Sequence, residues 1–262
     1  MTRSKHPLAV AHSLRLLRSL KKEILRAAAL PDVEAVHDLR VAIRRLLAAL
    51  ELFEPDLPAG SEKIGRKAKK LLEPAGAVRD CDVAARLIAK LEAKAGAPPA
   101  SLLAAIDARR QASGRVLVEA LRGRIERGTL EKWRSRLTAE PPPSAAQQQE
   151  PRIMEKMEEE FIKRGRIAAQ PDATGMQLHR FRIAAKRLHY ALELPVTAPA
   201  SWMADAKAVQ RLVGEIHDCE AVRAMIVDLA DSKTVVDTLD ERHKKKMKKF
   251  QRLWKERFSA RQ

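Results

Sequence analysis

The chain has 262 residues, of which 45% are hydrophobic but only 3% are aromatic, and its formal net charge is +17. This length suffices for one large domain or two of ordinary size, and a composition rich in Leu, Ala, Arg, Lys and Glu predicts an all-α fold. So large a positive excess indicates a polyanionic partner. The scarcity of aromatic residues argues against a single-stranded nucleic-acid site built on base stacking.

Signals for membrane insertion, export, disulfide bonding and metal binding are missing from the sequence. No apolar run reaches transmembrane length, and charged residues interrupt the apolar residues near the amino terminus. The two cysteines, Cys81 and Cys219, have neither metal-ligand spacing nor a disulfide framework. We therefore expect a cytoplasmic protein without membrane insertion, a cofactor or a bound metal.

In the first half of the chain, proline and glycine separate successive helical patterns. Pro31-Asp32 ends the first pattern and starts the second. Pro74-Ala75-Gly76 indicates a break, after which Asp80 is placed to cap the next helix, and Gly128 precedes a short last helix. The predicted helices span about 8–30, 32–54, 61–72, 80–95, 99–127 and 129–137.

A linker and a repeat of the same plan follow. Residues 139–150, which include EPPPSAAQQQE, have no apolar periodicity and predict a linker. Beyond it, Pro171-Asp172 echoes the first Pro-Asp pair, and Gly214 stands where Gly76 stands. This repeat predicts two similar bundles of four-helix type, 1–138 and 151–262, related by a pseudo-twofold within one domain. The helices predicted here span about 152–169, 178–195, 202–213, 218–229 and 235–258.

The clearest functional signal is a basic stripe on the second predicted helix, in residues 36–53. At about 100° per residue, His37, Arg40 and Arg44 fall within an arc of about 60°. The opposite side of the helix is apolar and must pack against the rest of the protein. It consists of Leu39, Ile43, Leu46, Leu50 and Phe53.

The second half repeats this stripe in residues 178–195, where His179, Arg182 and Lys186 occupy the same register. A face exposed only to water has no physical reason to retain a histidine and two cations, so the repeat favours a binding surface. Arg offers a planar fork for phosphate oxygens, Lys offers a point charge, and a spacing of about 5 Å per turn suits a linear polyanion. We interpret the two histidines either as ligand contacts or as structural residues.

A second motif follows each stripe. In both halves it consists of a basic residue or histidine, then Asp, Cys and an acidic residue. We expect the aspartates to cap helices, the cysteines to be buried, and the first residue to face the same surface as the stripe. The two copies are Arg79-Asp80-Cys81-Asp82 and His217-Asp218-Cys219-Glu220.

The His-Asp pairs also suggest a metal-dependent phosphohydrolase. His37-Asp38 and His217-Asp218 would supply some of the ligands that such a site needs. However, Arg180 stands in the second stripe where Asp38 stands in the first. An arginine at that position would repel a metal ion, so the sequence disfavours this function.

Together the two motifs resemble the CHAD domain, a helical domain named for its histidines. H-x-x-R-(I/V)-x-x-(R/K)-R-L and then G-x-x-(R/H)-D-C-(D/E) occur in each half, and the resemblance covers nearly the whole chain. It implies two four-helix bundles that meet along a basic groove, binding of inorganic polyphosphate, and association with polyphosphate granules. The ligand residues that it implies are His37, Arg40, Arg44, Arg45, Lys69, Arg79, His179, Arg182, Lys186, Arg187, Lys207 and His217.

We therefore predict a polyphosphate-binding protein that is not an enzyme. The main alternative is a nucleic-acid-associated helical protein, which would share the positive charge but would also require base contacts, stacking or helix-turn-helix geometry. The metal-dependent phosphohydrolase is the second alternative.

Overall fold

The structure is a computed structural model that describes residues 6–95, 100–139, 149–194 and 203–259. Within these ranges the chain forms α-helices and one 3-10 turn, Glu54–Asp56, and contains no strand, so the all-α prediction is confirmed. The helices are α1 (His6–Ala29), α2 (Val33–Leu52), α3 (Ser61–Lys69), α4 (Leu72–Ala95), α5 (Ala100–Glu126), α6 (Thr129–Leu137), α7 (Gln149–Ala168), α8 (Gly175–Leu192), α9 (Met203–Ile226) and α10 (Lys233–Phe258). None of these helices, as far as they are described, is long and apolar enough to cross a membrane.

The chain divides into two compact units, and the division differs from the predicted linker. Unit 1 comprises Met1–Arg79 and Arg110–Met154, and unit 2 comprises Asp80–Arg109 and Glu155–Gln262. The second part of α4 and the first part of α5 therefore pack with the carboxyl-terminal helices. The two similar helical bundles over 1–138 and 151–262 stay a prediction, and most of the predicted linker lies outside the described residues.

Unit 1 is built around the apolar side of α2, which packs against α1 and α3. Leu39, Ile43 and Leu46 are completely buried, as the helical periodicity predicts. The start of α2 also agrees with the sequence. Asp32 caps it by accepting a hydrogen bond from the backbone N–H of Ala35 at 2.7 Å.

In unit 2, α9 packs against both α8 and α10. The apolar side of α8 is buried as predicted. However, α8 does not start directly after Pro171-Asp172, the pair that repeats Pro31-Asp32. Thr174 is the N-cap residue and forms a reciprocal capping box with Gln177. Much of the scarce aromatic content gathers in this unit, in a buried cluster that contains Phe161, Phe181, Phe250, Trp254 and Phe258.

The predicted breaks at Gly76 and Gly214 are wrong, because α4 and α9 run through both glycines. The chain instead turns at residues 70–71, just before α4. Pro74 then lies in the first turn of α4, where a missing N–H costs no intrahelical hydrogen bond. A glycine inside a helix costs only about 1 kcal/mol relative to alanine, which tertiary packing can offset. Asp80 and Asp218 consequently lie inside helices, and the prediction that they cap helix starts is wrong.

The cysteines occupy the core of unit 2. Cys81 and Cys219 are both buried, neither forms a disulfide, and both belong to one apolar cluster with Ile88, Ile226 and Leu239. Burial raises the pKa of the Cys219 thiol. The prediction that they serve as small buried apolar residues is confirmed.

Two helix glycines in unit 2 provide a test of this packing. A methyl group at Gly165 in α7 would overlap the indole ring of Trp254, whereas one at Gly214 in α9 would meet no atom within 4 Å. We expect Gly165→Ala to lower the free energy of unfolding by about 1–3 kcal/mol because the aromatic cluster must shift. Gly214→Ala should raise it by about 0.5–1 kcal/mol. Urea unfolding measures both, and an unchanged Gly165→Ala variant would contradict the packing.

Candidate functional site

The basic stripe of α2 lies where the helical periodicity predicts, opposite the buried side of the helix. His37 and Arg45 are exposed, while Arg40 and Arg44 are half-buried. Lys69 at the end of α3 is exposed, and Arg79 in α4 is half-buried. These six predicted ligand residues belong to unit 1.

A close approach between α2 and α4 fixes Arg40. Its Nη1 donates a hydrogen bond to the carbonyl oxygen of Leu72 at 3.1 Å. The same nitrogen lies only 3.0 Å from the position that a Cβ of Gly76 would occupy. Glycine is therefore used here to admit a guanidinium group, not to break the helix. Because residues 72, 76 and 79 share one face of an α-helix, Arg40 lies on the side of α4 that carries Arg79.

The two residues of the first His-Asp pair, His37 and Asp38, lie in different environments. His37 is exposed, but Asp38 accepts a hydrogen bond from Nη1 of Arg26 in α1 at 2.8 Å. Its carboxylate is thus neutralised by a cation outside the predicted ligand set. Across the part of the chain that the structure describes, no three His, Cys, Asp or Glu residues form a group that could hold a metal ion.

In unit 2, α8 and α9 enclose an open hollow of about 670 Å³, which we call the α8–α9 hollow. Arg182 and Lys186 line it from α8, and Lys207 lines it from α9. The structure therefore brings three predicted ligand residues to one concave surface. Arg211, which lies one turn after Lys207, adds a fourth cation that the sequence reasoning missed.

The two predicted histidines of unit 2 are neighbours across the same helix pair. The ring centroids of His179 in α8 and His217 in α9 lie 6.0 Å apart. Arg187, the remaining predicted ligand of this unit, is exposed on the adjacent side of α8.

Two carboxyl groups, those of Glu215 and Asp218, also line the α8–α9 hollow. Burial raises the pKa of Asp218, and the Asp80 carboxylate acts in the same direction, although Arg182, Lys186 and Arg86 favour the ionised form. The sequence analysis did not predict this role for Asp218, because it predicts that a helix stops before Gly214. The spacing 207, 211, 214 and 218 is the signal that would have placed Lys207, Arg211 and Asp218 on one continuous helical face.

An all-helical fold with cation-bearing helix pairs in both units defines a helical protein with a basic surface. The family model for the CHAD domain matches residues 9–227. The chain belongs to the CHAD domain family.

Two solved structures are similar to this chain. The crystal structure of the CHAD domain from the plant Ricinus communis shares 22% identity with a TM-score of 0.66, covering 94% of this chain and 86% of that one. PptA from Streptomyces chartreusis shares 17% identity with a TM-score of 0.67, covering 94% and 98%. No curated protein matches the chain. At these identities the two structures support the fold alone.

The raised pKa of Asp218 generates a prediction about stability and pH. The folded protein binds this proton more tightly than the unfolded chain, so the stabilisation is present at low pH and is lost as the pH rises through the folded pKa. Asp218→Asn should therefore gain stability relative to the unchanged protein as the pH rises above about 4, the ordinary Asp value. The gain should level off once Asp218 is ionised.

Urea unfolding between pH 4 and pH 7 measures this difference. Asp237→Asn, which changes an exposed carboxyl group on α10, is the matched control and should show a smaller dependence on pH. If the stability difference between Asp218→Asn and the unchanged protein stays constant over this range, the environment assigned to Asp218 is wrong.

Proposed function

We propose that this protein binds inorganic polyphosphate through the basic stripes of α2 and α8 and the neighbouring residues of α3, α4 and α9. The observation that carries the proposal is the convergence of Arg182, Lys186, Lys207 and Arg211 on the α8–α9 hollow. The α2 stripe presents the same residue types in the same register. Membership of the CHAD family supports the same ligand, because the sequence motifs of the stripes are those on which the resemblance rests.

The chemistry of the hollow suits a chain of phosphates. Guanidinium groups can bind two phosphate oxygens at once, while ammonium groups add charge without a fixed geometry. Cations on successive turns of a helix recur at about 5 Å, so a linear polyanion can meet several of them, whereas a single phosphate cannot.

The proposal assigns binding without catalysis. The cations of the hollow stabilise phosphate charge in the bound chain, and Asp218 opposes that charge when it is ionised. Both basic stripes contact the same polyphosphate chain in this proposal, as the resemblance to the CHAD domain implies. The protein would then be located in the cytoplasm on polyphosphate granules, where its ligand is concentrated.

Competition between polyanions is the direct test of the ligand. Long-chain polyphosphate, duplex DNA and RNA are titrated against one another at near-physiological salt. We expect polyphosphate to displace both nucleic acids, because the hollow provides charge and no aromatic platform for bases. Displacement of polyphosphate by duplex DNA at equal phosphate concentration would instead support the nucleic-acid alternative.

Charge reversal tests whether the stripes act on one chain. Arg40→Glu with Arg44→Glu should weaken binding of long polyphosphate by more than two charge-assisted hydrogen bonds, worth about 1.5–3 kcal/mol each, because the new carboxylates repel the ligand. Arg182→Glu with Lys186→Glu should have nearly the same effect. Losing either stripe turns a two-point attachment into a one-point attachment, so the combined variant should be little worse than either pair alone.

The matched control is Arg18→Glu with Lys22→Glu. These two exposed α1 residues have the same spacing and undergo the same change of charge, so they should weaken binding only slightly. Thermal unfolding checks that each variant stays folded. If one stripe tolerates reversal with unchanged affinity, it does not contact the ligand.

The salt dependence of binding provides an independent prediction. A polyanion neutralised by several cations releases counterions, so the logarithm of the association constant should fall linearly with the logarithm of salt concentration. We expect a steep slope for the unchanged protein and a shallower slope for each stripe variant. Titrations at four salt concentrations measure both, and an affinity that does not change with salt would rule out this binding mode.

A further inference from the structure

A second concentration of cations lies on unit 1, outside the predicted ligand set. The carboxyl end of α5 and the helices α3 and α6 line an open hollow of about 1180 Å³, which we call the α3–α6 hollow. Seven basic side chains line it from all three helices, the turn after α3 and the turn before α6. They are Lys63, Lys67, Lys70, Arg124, Arg127, Lys132 and Arg136.

These charges are not compensated by neighbouring acids. Glu131 is the acidic residue among the described lining, and its carboxylate already accepts a hydrogen bond from Lys21 at 2.7 Å. That hydrogen bond lowers the pKa of Glu131, so it stays ionised and committed to Lys21. Within the described ranges, no carboxylate lies within 4.0 Å of any of the seven cations. The surface therefore carries a strong local excess of positive charge.

Backbone groups hold two of the cations without neutralising them. Lys132 Nζ donates a hydrogen bond to the carbonyl oxygen of Arg127 at 2.9 Å. Arg136 approaches the carbonyl oxygen of Gly60 at 3.5 Å. Gly60 has a φ of +84°, and any side chain there would overlap the guanidinium group of Arg136. The position of this cation thus depends on a glycine that leaves room for it.

The cations also crowd one another. Partial burial and the adjacent charge of Arg127 lower the pKa of Arg124. Like charges held together in this way repel, and a bound anion would relieve the repulsion. The crowding therefore favours a bound anion near Arg124 and Arg127.

The shape and the aromatic content of the hollow limit the ligand. Trp133 lines it but is only 3% exposed, so its ring offers no platform for a nucleic-acid base. Seven cations spread over so large a hollow exceed what a single phosphate ion can contact.

We infer that the α3–α6 hollow is a second anion-binding site, which takes a short run of condensed phosphate groups. The identity of this ligand rests on the proposed function, whereas the site itself rests on its own seven cations. A long polyphosphate chain would then have an additional attachment point in unit 1.

Tripolyphosphate, titrated calorimetrically into the full-length chain, tests this site. The hollow variant combines Lys67→Gln, Lys132→Gln and Arg136→Gln, which are exposed positions, so the fold should be retained. We expect it to lose one class of tripolyphosphate site, with affinity there reduced by more than about tenfold. The stripe variant, which neutralises Arg40, Arg44, Arg182 and Lys186 with Gln, should retain that class.

A control variant removes the same number of charges elsewhere. Arg18→Gln, Lys22→Gln and Arg109→Gln are all exposed and outside both hollows, and this variant should bind like the unchanged protein. Equal stoichiometry and affinity in the hollow variant and the unchanged protein would overturn the inference. So would a hollow variant that loses duplex DNA binding but keeps all tripolyphosphate binding.

The same titrations separate this inference from the proposed function. If the stripes do not bind phosphate but the hollow does, the stripe variant behaves like the unchanged protein and the hollow variant binds no tripolyphosphate. If only the stripes bind, the hollow variant is unaffected and the stripe variant loses binding.

Discussion

Burial of one side of α2 and of α8 is the constraint on which the arrangement of cations depends. Leu39 and Ile43 on α2, and Phe181 and Leu188 on α8, are almost completely buried. Since an α-helix projects its side chains in fixed directions, packing these residues also fixes the direction of the cations opposite them. Rotation of either helix would bury guanidinium or ammonium groups, whose desolvation costs far more than the apolar contacts return. The helices themselves therefore form the basic surfaces, and their packing fixes where the cations lie.

The carboxylates near these surfaces are mostly held by cations from other helices. Asp38 is bonded to Arg26, and Glu215 pairs with Lys246 of α10. Such pairs are partly exposed and stabilise the fold only modestly. Their larger effect is electrostatic. Each cation neutralises a carboxylate that would otherwise weaken the positive potential of the basic faces of α2 and α9. At Asp218 in unit 2, burial opposes the negative charge and raises the pKa of the carboxyl group.

The two copies of the sequence motif are used differently. In unit 1, Gly76 provides the space that the guanidinium group of Arg40 enters, and Arg40 is tied to the backbone. In unit 2, the space beside Gly214 is open and forms part of the α8–α9 hollow. One motif thus supports a fixed cation in one unit and an open concave surface in the other. The difference arises because the Arg40 side chain reaches Gly76, whereas no side chain comes within 4 Å of a Cβ placed at Gly214.

The sequence by itself determined the helical class, the buried and basic sides of α2 and α8, and the burial of both cysteines, because these depend on helical periodicity within one segment. Only the tertiary structure decided that α4 and α9 continue through their glycines, that Asp218 lines a hollow, and that the second part of α4 packs in unit 2. Whether a glycine breaks a helix depends on contacts with residues that are distant in sequence. Helix propensity is a local property, so it cannot predict the effect of those contacts.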